Sequence, residues 1–99
     1  MKRVCVVFDD EFDDVDIILV PDDIADNIEC VVWEFNQWLR MPENRSRFVI
    51  RIIDGYEMIS INTEEFVWWL NQFRIDAAQK AIILIQHTEL VSDYPRAEF

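Results

Sequence analysis

Residues 9–16 read Asp-Asp-Glu-Phe-Asp-Asp-Val-Asp, six acids in eight positions and no base. Carboxylates at this density support four readings. They can supply hard oxygen ligands to a divalent cation, serve phosphate chemistry through such a cation, dock a cationic protein, or simply be a solvated loop. The acids continue at Asp22, Asp23, Asp26, Glu29 and Glu34. Residues 1–34 hold 11 acids and 2 bases, a net of −9, whereas the remaining 65 residues hold 9 acids and 7 bases, a net of −2. Like charges crowded at one end destabilise a compact state, so this end of the chain is where a functional surface is expected.

The metal reading starts from Asp9, Asp10 and Asp14, but the run is not an EF-hand loop. The glycine at the sixth position and the distant bidentate Glu are missing. His87, the only His, follows a strand-like run and cannot be tied by spacing to a Ser or Cys nucleophile. With a single glycine in the chain, a Gly-rich phosphate loop is excluded. Cys5 and Cys30 form no C-x-x-C pair and are expected as two reduced thiols, one in the core and one on a helix surface.

The elements that must position these residues are legible in outline. Ninety-nine residues, 52% of them hydrophobic, suit one domain with its own core. Val4 to Phe8 is apolar on both faces and reads as an interior strand. Ile17 to Val20 is a second strand, stopped by Pro21. Asp22 or Asp23 then caps a helix over 23–39, whose buried stripe is Ile24, Ile28, Val32, Phe35 and Leu39. Trp33 falls on its opposite side, beside Asp26 and Glu29, and Trp38 lies nearer the buried edge.

Asp54-Gly55 between 48–53 and 56–61 marks a two-residue hairpin. That turn pairs Ile53 with Tyr56, Ile52 with Glu57, Arg51 with Met58, Ile50 with Ile59, Val49 with Ser60 and Phe48 with Ile61. Asn62 and Glu65 form a capping box for a helix running to about residue 78. Its buried stripe is Phe66, Leu70, Phe73 and Ala77, with Val67 and Trp69 at the margins and Trp68, Gln72 and Ile75 outward. Residues 81–86 form a last strand, apolar on both faces. Residues 88–99, with Pro95 inside, read as a loose tail. The expected fold is α+β: a mixed sheet of four or five strands with two helices on one face, in the order β-β-α-β-β-α-β.

Met1-Lys2-Arg3 is followed by only five apolar residues, too few for a signal core of roughly 7–15. No run reaches the roughly 18 apolar residues of a membrane span. A cytoplasmic protein without membrane contact is therefore expected. The net charge of −11 repels nucleic acid, so neither direct nucleic-acid binding nor base stacking on Trp33 and Trp68 is expected. An outward Trp among carboxylates suits Lys and Arg instead.

A strand ending in Asp9-Asp10 resembles the acidic pair of response-regulator receiver domains and the strand-end Asp of haloacid-dehalogenase-type phosphotransferases. The remainder of those patterns is absent. No helix follows directly, no third-strand acceptor Asp can be placed, and Glu11 stands where the dehalogenase pattern has its second Asp. In size, acidity, tryptophan content and cysteine scarcity the chain resembles the immunity proteins of bacterial toxin systems, including contact-dependent growth inhibition. The residues behind that resemblance are the run from Asp9 to Asp16, with Asp22, Asp23, Asp26, Glu29 and Trp33.

The resemblance implies a non-catalytic inhibitor of a basic protein, a nuclease toxin domain above all, with no cofactor. Its expected partner-binding residues are Asp9, Asp10, Glu11, Asp13, Asp14, Asp16, Asp22, Asp23, Asp26, Glu29 and Trp33. The alternatives are a small metal-assisted phosphate-handling protein built on the Asp9–Asp16 loop, and a homodimer closed over Trp68, Ile75 and the outer hairpin face.

Overall fold

The computed structural model describes residues 1–46, 49–59 and 61–99. The fold is α+β, as the sequence pattern predicts. Strands β1 (Lys2–Val7), β2 (Val15–Val20), β5 (Ile82–Thr88) and β6 (Arg96–Glu98) form a sheet in the order β5-β2-β1-β6. The sheet is mixed because β6 runs parallel to β1, while β1–β2 and β2–β5 are antiparallel. Among the described residues, strands β3 (Val49–Ile53) and β4 (Tyr56–Ile59) pair with each other and not with the main sheet. Helices α1 (Asp22–Asp26), α2 (Ile28–Arg40), the single turn α3 (Pro42–Arg45) and α4 (Thr63–Phe73) complete the fold.

Alternation along the central strands divides the core in two, since successive strand side chains point to opposite faces. Val4, Val6, Ile18, Val20 and Ala97 face the helices and join Ile24, Ile28, Val32, Phe35, Phe66 and Leu70. Cys5, Val7, Val15 and Ile17 face the other way and are covered by Leu90, Val91 and Tyr94. Both long helices therefore pack on one face. Cys5 and Cys30 are free thiols, one buried and one exposed, where the strand and helix patterns place them.

The first helix departs from its expected span. Pro21, not Asp22 or Asp23, is its N-cap, and it has no side-chain cap. The helix also breaks at Asn27, whose backbone sits at φ −122°, ψ 29°. The Asn27 side chain donates to the Asp23 carbonyl at 2.9 Å. Such local bonding is how Asn competes with helical pairing. The stripe Ile24, Ile28, Val32, Phe35 and Leu39 is nevertheless buried throughout.

In α4 the capping box of Asn62 and Glu65 forms with both its bonds, 3.0 and 3.2 Å. The helix stops at Phe73 rather than near residue 78. The Asn71 side chain holds both the N–H and the carbonyl of Ala81, at 2.8 and 3.1 Å, which turns the chain back toward β5. The expected stripe consequently fails beyond Leu70. Phe73 is 57% exposed and Ala77 lies in an exposed 3-10 turn. Ile75 turns inward against the core instead of outward, and Trp69 is buried rather than marginal.

The hairpin turns at Asp54-Gly55, both at positive φ (51° and 82°). The pairs Ile53–Tyr56, Ile52–Glu57 and Arg51–Met58 form as the turn dictates. A register shift beyond Arg51 then sets Val49 opposite Ile59, in place of Ile50–Ile59 and Val49–Ser60. Phe48 and Ser60 lie outside the described residues. The strand expected over 81–86 runs from Ile82 to Thr88 at a sheet edge. With no strand beyond it among the described residues, Ile82 and Ile85 stay about half exposed.

The expected loose tail is instead the strand β6. Pro95 sits just before it and needs to supply only a carbonyl, which accepts from the Cys5 N–H at 2.9 Å. Ala97 is fully buried. The Phe99 ring meets Phe8, Phe35 and Phe66 at centroid distances of 5.1, 5.7 and 5.0 Å. Truncating a Phe in such packing costs about 3–5 kcal/mol when fully buried. Phe99 is half-buried, so Phe99→Ala should cost about 2–3 kcal/mol, read from the urea midpoint at unchanged slope. A loss under about 0.5 kcal/mol, ordinary for a surface site, would mean that the tail is not a structural strand.

Candidate functional site

The acidic run forms the connection between β1 and β2, and its conformation is set by backbone bonds. The Glu11 N–H donates to the Phe8 carbonyl at 3.0 Å, with Asp9 and Asp10 both left-handed at φ 54° and 57°. This is a type I′ turn, which Asp tolerates better than most residues. The Asp9 N–H donates to the Phe99 carbonyl at 3.3 Å, the Asp14 N–H to the Glu11 carbonyl at 3.4 Å, and the Leu90 N–H to the Phe12 carbonyl at 3.0 Å. The Phe12 ring lies under the Arg96 guanidinium at 5.4 Å. The loop is thus tied to two other segments of the chain.

Its carboxylates separate into two groups. Asp9, Asp10, Glu11 and Asp13 are exposed and make no ion pair among the described residues. Asp14 and Asp16 are engaged internally. Asp14 meets the His87 ring nitrogen Nδ1 at 2.8 Å. One Asp16 oxygen accepts from the His87 backbone N–H at 3.1 Å, and the other accepts from the hydroxyl of buried Thr63. Asp16 therefore fastens the start of β2 to the end of β5 and the start of α4. The Asp14 carboxylate, by hydrogen bond first and by charge second, raises the His87 pKa above its ordinary 6.5.

Asp22, Asp23 and Asp26 lie at the other end of the sheet. In the β1–β2 register Lys2 faces Val20, so Asp22, Asp23 and Asp26 gather beside the N-terminus. Asp22 accepts from the N-terminal ammonium at 2.9 Å, and that hydrogen bond, with its charge, lowers the Asp22 pKa. Asp26 accepts from Lys2 Nζ at 2.6 Å, which raises the Lys2 pKa. Glu29 and Trp33 follow on α2, with Trp33 63% exposed. Six residues of strand separate the two acidic ends by roughly 20 Å. Asp22, Asp23 and Asp26 are therefore a surface apart from the loop, with Glu29 beside β6 between them.

Among the described residues, no group of three or more His, Cys, Asp or Glu is arranged to hold a metal ion. Asp14, one of the three proposed ligands, is turned to His87 instead. Sequence reasoning missed the Asp14–His87 and Arg96–Phe12 contacts, whose partners are far apart in the chain and share no spacing signal. It also missed a surface cluster in which Trp38, Trp68 and Phe73 lie within 6.2 Å of one another. Among the described residues no helix is long and apolar enough to cross a membrane. Comparison with protein-family models, curated proteins and solved structures found no match.

The Asp14–His87 contact has a defined pH signature. A raised folded-state pKa means that the contact stabilises the fold fully below about pH 6.5 and that this contribution is lost as pH climbs through the folded value. Asp14→Asn should lower the His87 pKa toward its ordinary value, followed by the ring proton shifts in an NMR titration. An unchanged titration would show that the two side chains do not meet in solution.

Proposed function

We propose that this protein is a non-catalytic inhibitor that binds and occludes a basic protein in the cytoplasm, and that it serves as the immunity protein of a bacterial nuclease toxin. The observation that carries the reading is the β1–β2 loop. It turns Asp9, Asp10, Glu11 and Asp13 outward on a backbone held by four hydrogen bonds. Water-exposed charges on a fixed frame steer a cationic partner over distances of a Debye length, about 8 Å at physiological salt. They then pair with Lys and Arg at contact, where a preorganised surface loses little conformational freedom. A nuclease presents the cations with which it holds phosphates, so covering them blocks its substrate without any chemistry by the inhibitor.

The internal contacts of Asp14 and Asp16 change which residues test the idea. Reversing those two charges would disturb the Thr63 and His87 bonds, and a Lys at Asp9 or Asp10 would strain the left-handed turn. Glu11 and Asp13 carry neither burden. The double variant Glu11→Lys, Asp13→Lys should fold normally. It should also slow association with the basic toxin domain that the protein is proposed to neutralise by at least about tenfold at low salt. Stopped-flow rates at two salt concentrations measure this. An unchanged, salt-insensitive rate would sink the acidic-loop reading.

A further inference from the structure

Along the outer side of β6 runs a groove of about 810 Å³. The α1–α2 corner forms one wall, with Asp26 and Glu29, and β6 forms the other, with Pro95, Arg96 and Glu98. β6 ends the sheet on this side. Its pairing with β1 uses alternate residues. The Pro95 carbonyl accepts from Cys5 at 2.9 Å, the Phe99 N–H donates to Val7 at 2.9 Å, and Ala97 lies between them opposite Val6. In a parallel ladder of that phase, the N–H and carbonyl groups of Arg96 and Glu98 point away from β1, into the groove. Among the described residues no turn, loop or side-chain bond takes up these groups.

An open strand edge with a helix for its opposite wall fits an added strand. The volume falls within the roughly 300–1,000 Å³ of ordinary binding clefts. The charge of the walls selects the strand. Asp26, Glu29 and Glu98 are acids, while the one base, Arg96, is drawn toward Glu98 at 3.9 Å and over the Phe12 ring. Asp26 holds Lys2, but that pair is exposed and easily exchanged. We infer that the groove binds an extended, Lys- or Arg-bearing segment of a basic protein as a fifth strand beside β6. Alternate side chains of the segment face the α1–α2 corner, where Asp26 at the end of α1 and Glu29 on α2 meet them and Trp33 stands one turn beyond Glu29. The inference rests on the reading of a basic partner and adds a second, backbone-directed contact on a different surface.

The test uses the isotope-labelled whole chain and a blocked hexapeptide, Val-Lys-Val-Lys-Val-Lys. Amide shifts should concentrate at 96–98 and 26–33. The same peptide with alternate amides N-methylated keeps its charge but cannot pair, and should bind at least tenfold more weakly. Glu98→Pro removes an outward N–H and a wall carboxylate while leaving the β1 bonds in place, and should weaken binding well beyond Glu98→Gln, which removes the charge alone. Equal binding of the N-methylated peptide overturns the inference, as does the absence of any shift at millimolar peptide. Shifts confined to 9–14 overturn it too, while leaving the acidic-loop reading intact.

Discussion

The rest of this structure depends on how Phe99 is held. Phe99 places its ring among Phe8, Phe35 and Phe66, at the junction of β1, α2 and α4. Its backbone donates to Val7 and accepts from Asp9. One residue thereby closes the aromatic core, extends the sheet by a parallel strand and anchors the first residue of the acidic loop. Net repulsion at a charge of −11 acts to open such a fold. The offsetting attraction is apolar burial, which does not depend on charge. Aromatic rings contribute the most area per residue, with edge-to-face contacts adding about 0.5–1.5 kcal/mol per pair.

The same constraint explains why the acids sit where they do. Every carboxylate of the first 34 residues lies in a loop, at the start of a helix or on an outer helix face, apart from half-buried Asp16. Asp16 is tolerated because the Thr63 hydroxyl and the His87 backbone satisfy both its oxygens. A partly buried carboxylate with a hydrogen bond to each oxygen costs little, and it fixes which segments meet. The exposed carboxylates at 9, 10, 11 and 13 make no such bonds, although Asp9 and Asp10 also form the left-handed turn. The division between structural and available acids is thus made by hydrogen bonding rather than by proximity in sequence.

Local order was largely legible from residue pattern. β1 and β2, the Asp54-Gly55 turn, the Asn62 capping box and the α2 stripe all follow from nearest neighbours, and nearest neighbours decide them physically. The features that escaped depend on distant residues. The break at Asn27 needs the Asp23 carbonyl, and the early end of α4 needs Ala81 to come within reach of Asn71. The residues from Arg96 to Phe99 read as a polar tail because Ala97 and Phe99 alternate too briefly to register. Only β1 supplies the partner that makes them a strand. For the acidic run, composition located the charge but not its division. The strand β2 sets Asp22, Asp23 and Asp26 at the opposite end of the sheet from the loop.

That division bears on how such a surface would hold the basic partner proposed for it. Two acidic clusters roughly 20 Å apart exceed the screening distance at physiological salt, about 8 Å. They therefore do not add their fields and must each act on the charges nearest to them. A compact cationic knob would engage one cluster and leave the other to solvent. An extended cationic segment can reach both. Strand β6 lies between them: Glu98 stands opposite Val7 at the loop end, and Pro95 and Arg96 border the groove that Asp26 and Glu29 line. Backbone pairing along β6 would set the spacing between the two charge contacts, so that neither the edge nor the acids need supply the whole affinity. Geometry of this kind favours a partner that presents a strand over one that presents only charge.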